Sequence, residues 1–582
     1  MIVYRDQRSR SDPRQILTRL RSLTRRSGTS GPPHDVARGM LIEAGRLEAA
    51  VADTVFLQAD GTNPLTWKLR RSSVAAGHVL WHTWHANPLG SKTWWARLAR
   101  CLDDIAEGWL PPEVEVTVPE GYAYYAVYPE MYLEAAKRCH AELGQLEAIC
   151  LGLRSIGTSL SAAVAAALEE LGCAVESVTL RPRGHPFSRY PSLDSELSIL
   201  LGPRSSAHYL VVDEGPGISG SSFGGTAAML SGWGVPDSRI LLFPSWRTDG
   251  TRLQSAAARE HWPRHRQFSV SFEEVWLRSG RFEESFPGDL KDVSAGAWRD
   301  EVYRSVDEYP AVQPQHERRK YLLTPTISPA IRKLLRFAGL GEHAKPKVCR
   351  AHILAEAGFG TQPELLAHGF LLQQFVPGIP ATPGQADNDL VDTTASYLAH
   401  LSREHAAEPT VSTSSLREMI AVNVAEGLRN RSSEKLLGSL PTGEWAERVV
   451  ALDGRMQAHE WIRTASGYLK TDAMDHHDDH FFPGTQDIAW DVAAAALELG
   501  LSQARRDRLV GRYRSLSGDW TIARRLHPYA VAYLAFRLGY CTLATTVLGD
   551  TADAHRFAQE SRRYRGLLEN ELGTGSSGHW DG

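Results

Sequence analysis

Cysteine is scarce. The chain has six in 582 residues, Cys101, Cys139, Cys150, Cys173, Cys349 and Cys541, with no CxxC pair and no close cluster. That spacing excludes a disulfide framework and a thiolate zinc site, and it makes a reducing cytoplasm the expected compartment. No run of ~18 apolar residues is present, so no membrane span is expected. The N-terminus has no apolar h-region, so no secretory signal is expected either. Neither sign of charge dominates: 64 Lys and Arg face 68 Asp and Glu, a formal net charge of −4. A general affinity for nucleic acid or membrane is therefore not implied. A Walker A loop is missing too, because Gly90-Ser91-Lys92-Thr93 lacks the upstream glycine and the Gly-Lys pair.

What is present is organised around residues 210–223, LVVDEGPGISGSSF. Leu210, Val211 and Val212 read as the end of a buried parallel strand. Asp213 and Glu214 follow, then a loop of Gly215, Pro216, Gly217, Ser219, Gly220, Ser221 and Ser222, then an apolar helical pattern over 223–230. Small residues let a backbone approach an anion, and the helix start offers free N–H groups. The acids suit a ribose diol or a Mg²⁺ ion carried by phosphates. A second turn of the same kind precedes it. A strand over 148–153 ends in Arg154-Ser155-Ile156-Gly157-Thr158-Ser159 and opens into an Ala-rich helix. A strand over 175–180 then leads into a basic loop containing Arg181, Arg183 and Arg189. Strands alternating with helices predict an α/β unit with a parallel sheet and its ligand at the carboxyl ends of the strands.

This constellation resembles the PRPP-binding signature of type I phosphoribosyltransferases. The resemblance implies that Asp213 and Glu214 hold the ribose hydroxyls and that Ser219, Gly220, Ser221 and Ser222 hold the 5′-phosphate. Arg154, Gly157, Thr158 and Ser159 would hold the leaving pyrophosphate with Mg²⁺, and Arg181 and Arg183 would lie on the closing loop. Serines stand where threonines are usual, and the loop is about one residue longer than the common pattern.

Upstream, residues 1–112 read as a helical and aromatic cap with a basic, solvated N-terminal arm, and 113–265 as the phosphoribosyltransferase-like unit. Residues 266–315 read as a linker with short strands, and 571–582 as a disordered tail. The stretch 316–570 resembles aminoglycoside phosphotransferases and choline kinases: a small β lobe, a hinge at Phe375-Val376-Pro377-Gly378, a catalytic loop, and an acid on the following strand. By that resemblance His459 and Glu460 are the catalytic-loop pair, with Glu460 in place of the usual Asp. Asp472 is the metal-binding acid and Asp491 pins the loop. Arg336 takes the place of the nucleotide Lys, and its helix partner is either displaced by Arg350 or is Glu356. The run Asp475-His476-His477-Asp478-Asp479-His480 adds metal-ligand chemistry, and Asp478 is a candidate second ligand beside Asp472.

The expected fold is thus α/β, a parallel phosphoribosyltransferase-like sheet joined to an α+β kinase-like domain. The expected function is transfer of phosphoribose from PRPP to a small-molecule acceptor, with Mg²⁺ and possible ATP-dependent phosphorylation by the second domain. Two alternatives stand beside it: a non-catalytic regulator that binds PRPP and nucleotide, and a metal-dependent hydrolase at the His/Asp run. The acceptor and the oligomeric state stay open.

Overall fold

The structure is a computed structural model, and it describes residues 1–5, 7–26, 32–428, 438 and 440–573. Most of the tail expected from 571 onward lies outside the described residues; 571–573 close the last helix, Ala552–Gly573.

The N-terminal arm is a tether between the two halves rather than a solvated tail. Strand β1 (Arg8–Ser11) pairs antiparallel with β2 (Val114–Thr117). Residues before it reach the far end of the chain. The amino group of Met1 pairs with Glu426, Ile2 N–H donates to Asn423 Oδ1 at 2.5 Å, and Arg5 donates to the carbonyls of Phe481 and Asp479. Four helices follow: Pro13–Arg26, His34–Val55, Pro64–Trp84 and Pro88–Ala106. Asn63 and Asn87 cap the last two, each accepting a backbone N–H in the first turn, with proline opening the helix.

The first half is built on β3 (Glu147–Leu153), β4 (Ala174–Leu180), a hairpin of β5 (Pro182–His185) and β6 (Ser188–Pro191), β7 (His208–Val212), β8 (Ile240–Phe243) and β9 (Arg266–Gln267). The sheet runs β4-β3-β7-β8-β9, with every neighbouring pair parallel. The order reverses between β3 and β7, which opens a crevice at their carboxyl ends. The stretch expected as a basic loop is the β5–β6 hairpin, and it lies on the helix Ser221–Gly232. Gly225 is required there: a Cβ would meet the Arg189 carbonyl oxygen at 1.9 Å.

The second half begins with a five-stranded sheet, β10 (Gly288–Asp292), β11 (Lys320–Pro325), β12 (Lys333–Phe337), β13 (Pro363–Ala367) and β14 (Phe370–Gln374), in the order β10-β11-β12-β14-β13 and antiparallel throughout. The helix Lys345–Glu356 lies between β12 and β13 in the chain. Residues 266–315 do more than link: they supply β9 to one sheet and β10 to the other. The chain then crosses into a helical lobe containing Asn388–Glu404, Thr413–Leu428, Ala489–Glu498, Gln503–Ser517, Ala523–Leu548 and Ala552–Gly573. Ala523–Leu548 is long and apolar enough to cross a membrane by composition, with a mean hydropathy of 1.4. Here 67% of that stretch is buried inside the protein, as suits a core helix.

The five-stranded sheet shares its core with the first half. Tyr321, Phe337 and Phe370 belong to one apolar cluster with Phe272, Trp276, Tyr128 and Met40, whereas the helical lobe has a core of its own. The boundary between the two cores runs along the cleft between the small sheet and the helical lobe.

Candidate functional site: two crevices

The crevice at the ends of β3 and β7 brings the sequence-predicted phosphate residues together and then closes them off. Arg154 is buried, with Nε 2.8 Å from Asp53 Oδ1 and Nη2 on Asp60. Arg181 pairs with Asp53, and its backbone N–H donates to Asp60 Oδ2 at 2.6 Å. Arg183 reaches Asp60 at 3.3 Å and donates to the Phe56 carbonyl at 2.6 Å. The positive charge expected to hold pyrophosphate is therefore matched by two aspartates from the N-terminal region. Tyr122 OH hydrogen-bonds Ser159 at 2.7 Å, the Thr158 carbonyl accepts from Arg70, and Gly157 abuts the Val212 carbonyl, where a Cβ would lie at 2.6 Å. Ser221 Oγ donates to the Pro186 carbonyl at 2.7 Å, Ser219 Oγ lies 3.2 Å from it, and Gly220 has φ +63°. Ser222 accepts a hydrogen bond from Thr226 on its carbonyl. The space left beside Asp53, Tyr122, Ser155 and Ser159 is about 20 Å³, room for about one water.

The acid pair is half-buried. Burial pushes Asp213 up to about 6. Burial, then Glu120 and Asp213, push Glu214 up to about 8, against a hydrogen bond at 3.0 Å from the Gly121 N–H. Glu214, bonded to the Gly121 N–H, is turned toward that segment and is poorly placed to meet a ribose diol.

The second crevice is open. A cavity of about 240 Å³ lies between the five-stranded sheet and the helical lobe. Leu322 and Leu334 form its roof, Ile462 and Leu469 its floor, and Gln374, Phe375 and Val376 the hinge at its back. The floor strands Trp461–Thr464 and Gly467–Lys470 pair with each other and bring Asp472 to the cleft.

The loop over 451–458 is held from both lobes. Asp491, in the first turn of Ala489–Glu498, accepts the backbone N–H groups of Asp453 at 2.7 Å and Gly454 at 2.8 Å. Trp490 Nε1 donates to the Gly454 carbonyl at 2.9 Å. Burial and the neighbouring Asp453 carboxylate push Asp491 up to about 7. Arg350, from the small-lobe helix, donates to the carbonyls of Ala451, Leu452 and Ala473. The helix residue that ties the lobes together is therefore Arg350; Glu356 is exposed at the end of its helix.

The acid that Asp491 positions is Asp453, which the sequence reading missed. His459-Glu460 resembles a catalytic-loop pair, but it forms a short turn just before the floor strands. The available signal was the apolar Val449–Val450 strand followed by Leu452-Asp453-Gly454. It was obscured because Ala451 stands where a histidine two residues before the acid would mark the loop. His459 stacks on Trp298 with centroids 5.8 Å apart, and burial lowers its pKa.

The acids of this cleft are neutralised by the chain's own cations. Asp453 is fully buried and does not line the cavity; Lys470 Nζ lies 3.0 Å from it and 2.6 Å from Glu460. Tyr397 OH donates to Asp453 at 2.8 Å. Burial opposes the Lys470 charge, yet Asp453 and Glu460 keep it protonated above the usual range. Asp472, at φ +61°, is bonded to Arg336, which also holds Asp475 at 2.7 Å. Despite burial, Arg336 and Lys320 keep Asp472 well below the usual carboxylate range. Arg318 holds Asp475 at 3.2 Å and Asp479 at 3.0 Å, and Lys347 lies 3.6 Å from Asp478. His476 lies between Asp453 at 3.5 Å and Asp472 at 3.7 Å. His476 Nδ1 meets the Asp453 carbonyl at 3.1 Å; burial opposes its charge, but the two neighbouring carboxylates raise its pKa to about 9.

Asp472, Asp475 and His476 place ligand atoms within 4.8 Å of one another, as do Asp453, Glu460 and His476, but the cations already bonded to these acids leave a divalent ion on Asp472 a poor fit. Arg336 is bonded to both Asp472 and Asp475, and Lys320 lies 3.9 Å from Asp472. Asp478 is engaged by Lys347 and does not join Asp472. Within the His/Asp run, Arg318 pairs with Asp475 and Asp479 and Lys347 with Asp478.

Neither a protein-family model nor a curated protein matches the chain. Among solved structures it is similar to a choline/ethanolamine kinase family protein from Mesorhizobium loti, at 12% identity and TM-score 0.33, covering 51% of this chain and 96% of that one. It is also similar to a protein from Ralstonia eutropha described as an aminoglycoside phosphotransferase, at 13% identity and TM-score 0.33, covering 52% and 97%. A third is spectinomycin phosphotransferase solved with ADP and spectinomycin, at 8% identity and TM-score 0.35, covering 51% and 97%. Each of these likenesses spans about half of this chain.

Proposed function

We propose that the interlobe cleft binds a nucleotide phosphate and that the chain works as a binding protein in a kinase-like frame, without transferring the phosphoryl group. The observation that carries this reading is the pairing of Lys470 with Asp453. An acid that must accept a substrate proton has to reach the substrate, and Asp453 is fully buried, outside the cavity lining, and bonded to a lysine. Arg336 stands at the phosphate end with Lys320; its terminal nitrogens hold Asp472 and Asp475, but its Nε is left without a partner among the described residues, and an arginine suits phosphate by its planar fork. The apolar roof and floor at Leu322, Leu334, Ile462 and Leu469 suit a flat base.

A second reading keeps phosphoryl transfer to a small acceptor. It is favoured by the Asp491 brace, which preserves a catalytic-loop geometry, and by Glu460, which lines the cavity. In the α/β half, the engaged arginines and the capped acid pair favour a supporting role over PRPP transfer. Single-turnover transfer from γ-labelled ATP, with water or a mixture of small alcohols as acceptor, separates these readings. The expected outcome is bound ATP recovered intact, in wild type and in Asp453→Asn alike. Label release that Asp453→Asn abolishes would overturn the binding-only reading.

A further inference from the structure

Beyond the phosphate end, the cleft continues toward the loop over 451–458 and the helices Ala523–Leu548 and Ala552–Gly573. The charges that line it pair off almost completely. Glu301 is held by Lys291 and Arg332, each at 2.5 Å. Glu317 accepts from Trp298 Nε1 and the Gly296 N–H, both at 2.9 Å, and lies 3.7 Å from Lys320. Glu460 is taken by Lys470, and Asp472 by Arg336. Arg537 sits 3.9 Å from Glu498 and donates to Tyr564 OH at 3.1 Å.

Arg455 is left over. It lines the cavity, and among the described residues no carboxylate lies within ion-pairing distance of it. Its guanidinium lies over the rings of Phe481 at 5.5 Å and Tyr540 at 5.8 Å. Its field is felt by Asp479, which is already bonded to Arg318 at 3.0 Å. The loop fixes it in place, since Asp491 holds the two residues before it and Tyr533 OH donates to its carbonyl at 2.6 Å. Gln313 also lines the cavity, with a buried Oε1 that has no partner among the described residues. A half-buried guanidinium against aromatic faces and an unfilled carbonyl-type acceptor are both costly unless something meets them.

We propose that this end of the cleft binds a small hydroxylated anion, its carboxylate or phosphate on Arg455 and a hydroxyl donating to Gln313. The inference rests on the cleft being a nucleotide site only in taking this end as a second compartment of it. A cationic ligand is disfavoured, because every acid in the lining already has a cation.

The test is calorimetric titration of the full chain with glycerol 3-phosphate and, separately, glycerate, each with and without saturating ADP, with choline as the cationic control. The expected result is that one or both anions bind and choline does not. Arg455→Gln is expected to weaken anion binding by about tenfold, the worth of a charge-assisted hydrogen bond, with partial recovery in Arg455→Lys. Binding of choline, no binding of either anion, or equal anion affinity in Arg455→Gln would overturn the proposal. Arg455→Lys keeps the test valid if Arg455→Gln does not fold. Arg455-dependent anion binding in a wild-type chain that ignores ADP would overturn the nucleotide reading alone. Glycerol 3-phosphate binding without glycerate binding assigns the anion as phosphate, and the reverse as carboxylate.

Discussion

The crevice at β3 and β7 and the cleft between the lobes are made from the same ingredients: acids at strand ends, arginines beside them, and a helix N-terminus braced against a loop. In the first, Asp53 and Asp60 neutralise Arg154, Arg181 and Arg183, and Tyr122 fills what remains. In the second, the ion pairs also close on themselves, but around a cavity of about 240 Å³ and with Arg455 to spare. A motif states which groups meet, whereas the partners that reach it from elsewhere decide whether a ligand can join them.

The comparison can be broken most forcefully at Lys470. Lys470→Met leaves Asp453 and Glu460 buried without their cation, and should cost ~3–5 kcal/mol of stability in urea unfolding. A loss below ~1 kcal/mol would mean that the cleft acids are not internally neutralised. Asp60→Asn applies the same test to the sealed crevice, with an expected loss of about 3 kcal/mol. If inorganic pyrophosphate restored the lost stability, the crevice would be a phosphate site held shut, not a structural junction.

Arg336→Met sharpens the contrast from the open side. It removes the fixed cation at the phosphate end, and ADP affinity should fall by about tenfold in calorimetry. Unchanged affinity would place the nucleotide elsewhere. The smallest effect concerns Glu214. Its raised carboxyl keeps a proton that the unfolded chain has lost, so stability falls as pH rises from the ordinary glutamate range to about 8, and is level above it. Glu214→Gln should flatten that fall in a series of urea melts. An undiminished slope would show that Glu214 is not enclosed as Gly121 and Glu120 place it.

Local pattern carried much of this architecture. The apolar run at Leu210–Val212, the acids after it and the small residues before Phe223 marked a strand, turn and helix correctly, because each depends on neighbours in sequence. That Asp491 would hold a loop was legible in the DIAWDVA pattern, but the loop it holds is 453–454, not His459-Glu460. Asp53 and Asp60 were not, since their partners lie about a hundred residues away and surface-like acids in a helical region carry no sign of burial. Asp453 was hidden behind the more familiar-looking His459-Glu460. The linker strands β9 and β10 are too short and too mixed to show alternation.

The most direct test of metal-independent binding is calorimetric titration of ADP into the full chain, once in EDTA and once in excess Mg²⁺. With Arg336, Lys320 and Lys470 serving as the cleft's cations, the two affinities should agree within about twofold. Binding that appears only with Mg²⁺ would contradict it, and would return Asp472 to the role of a metal ligand.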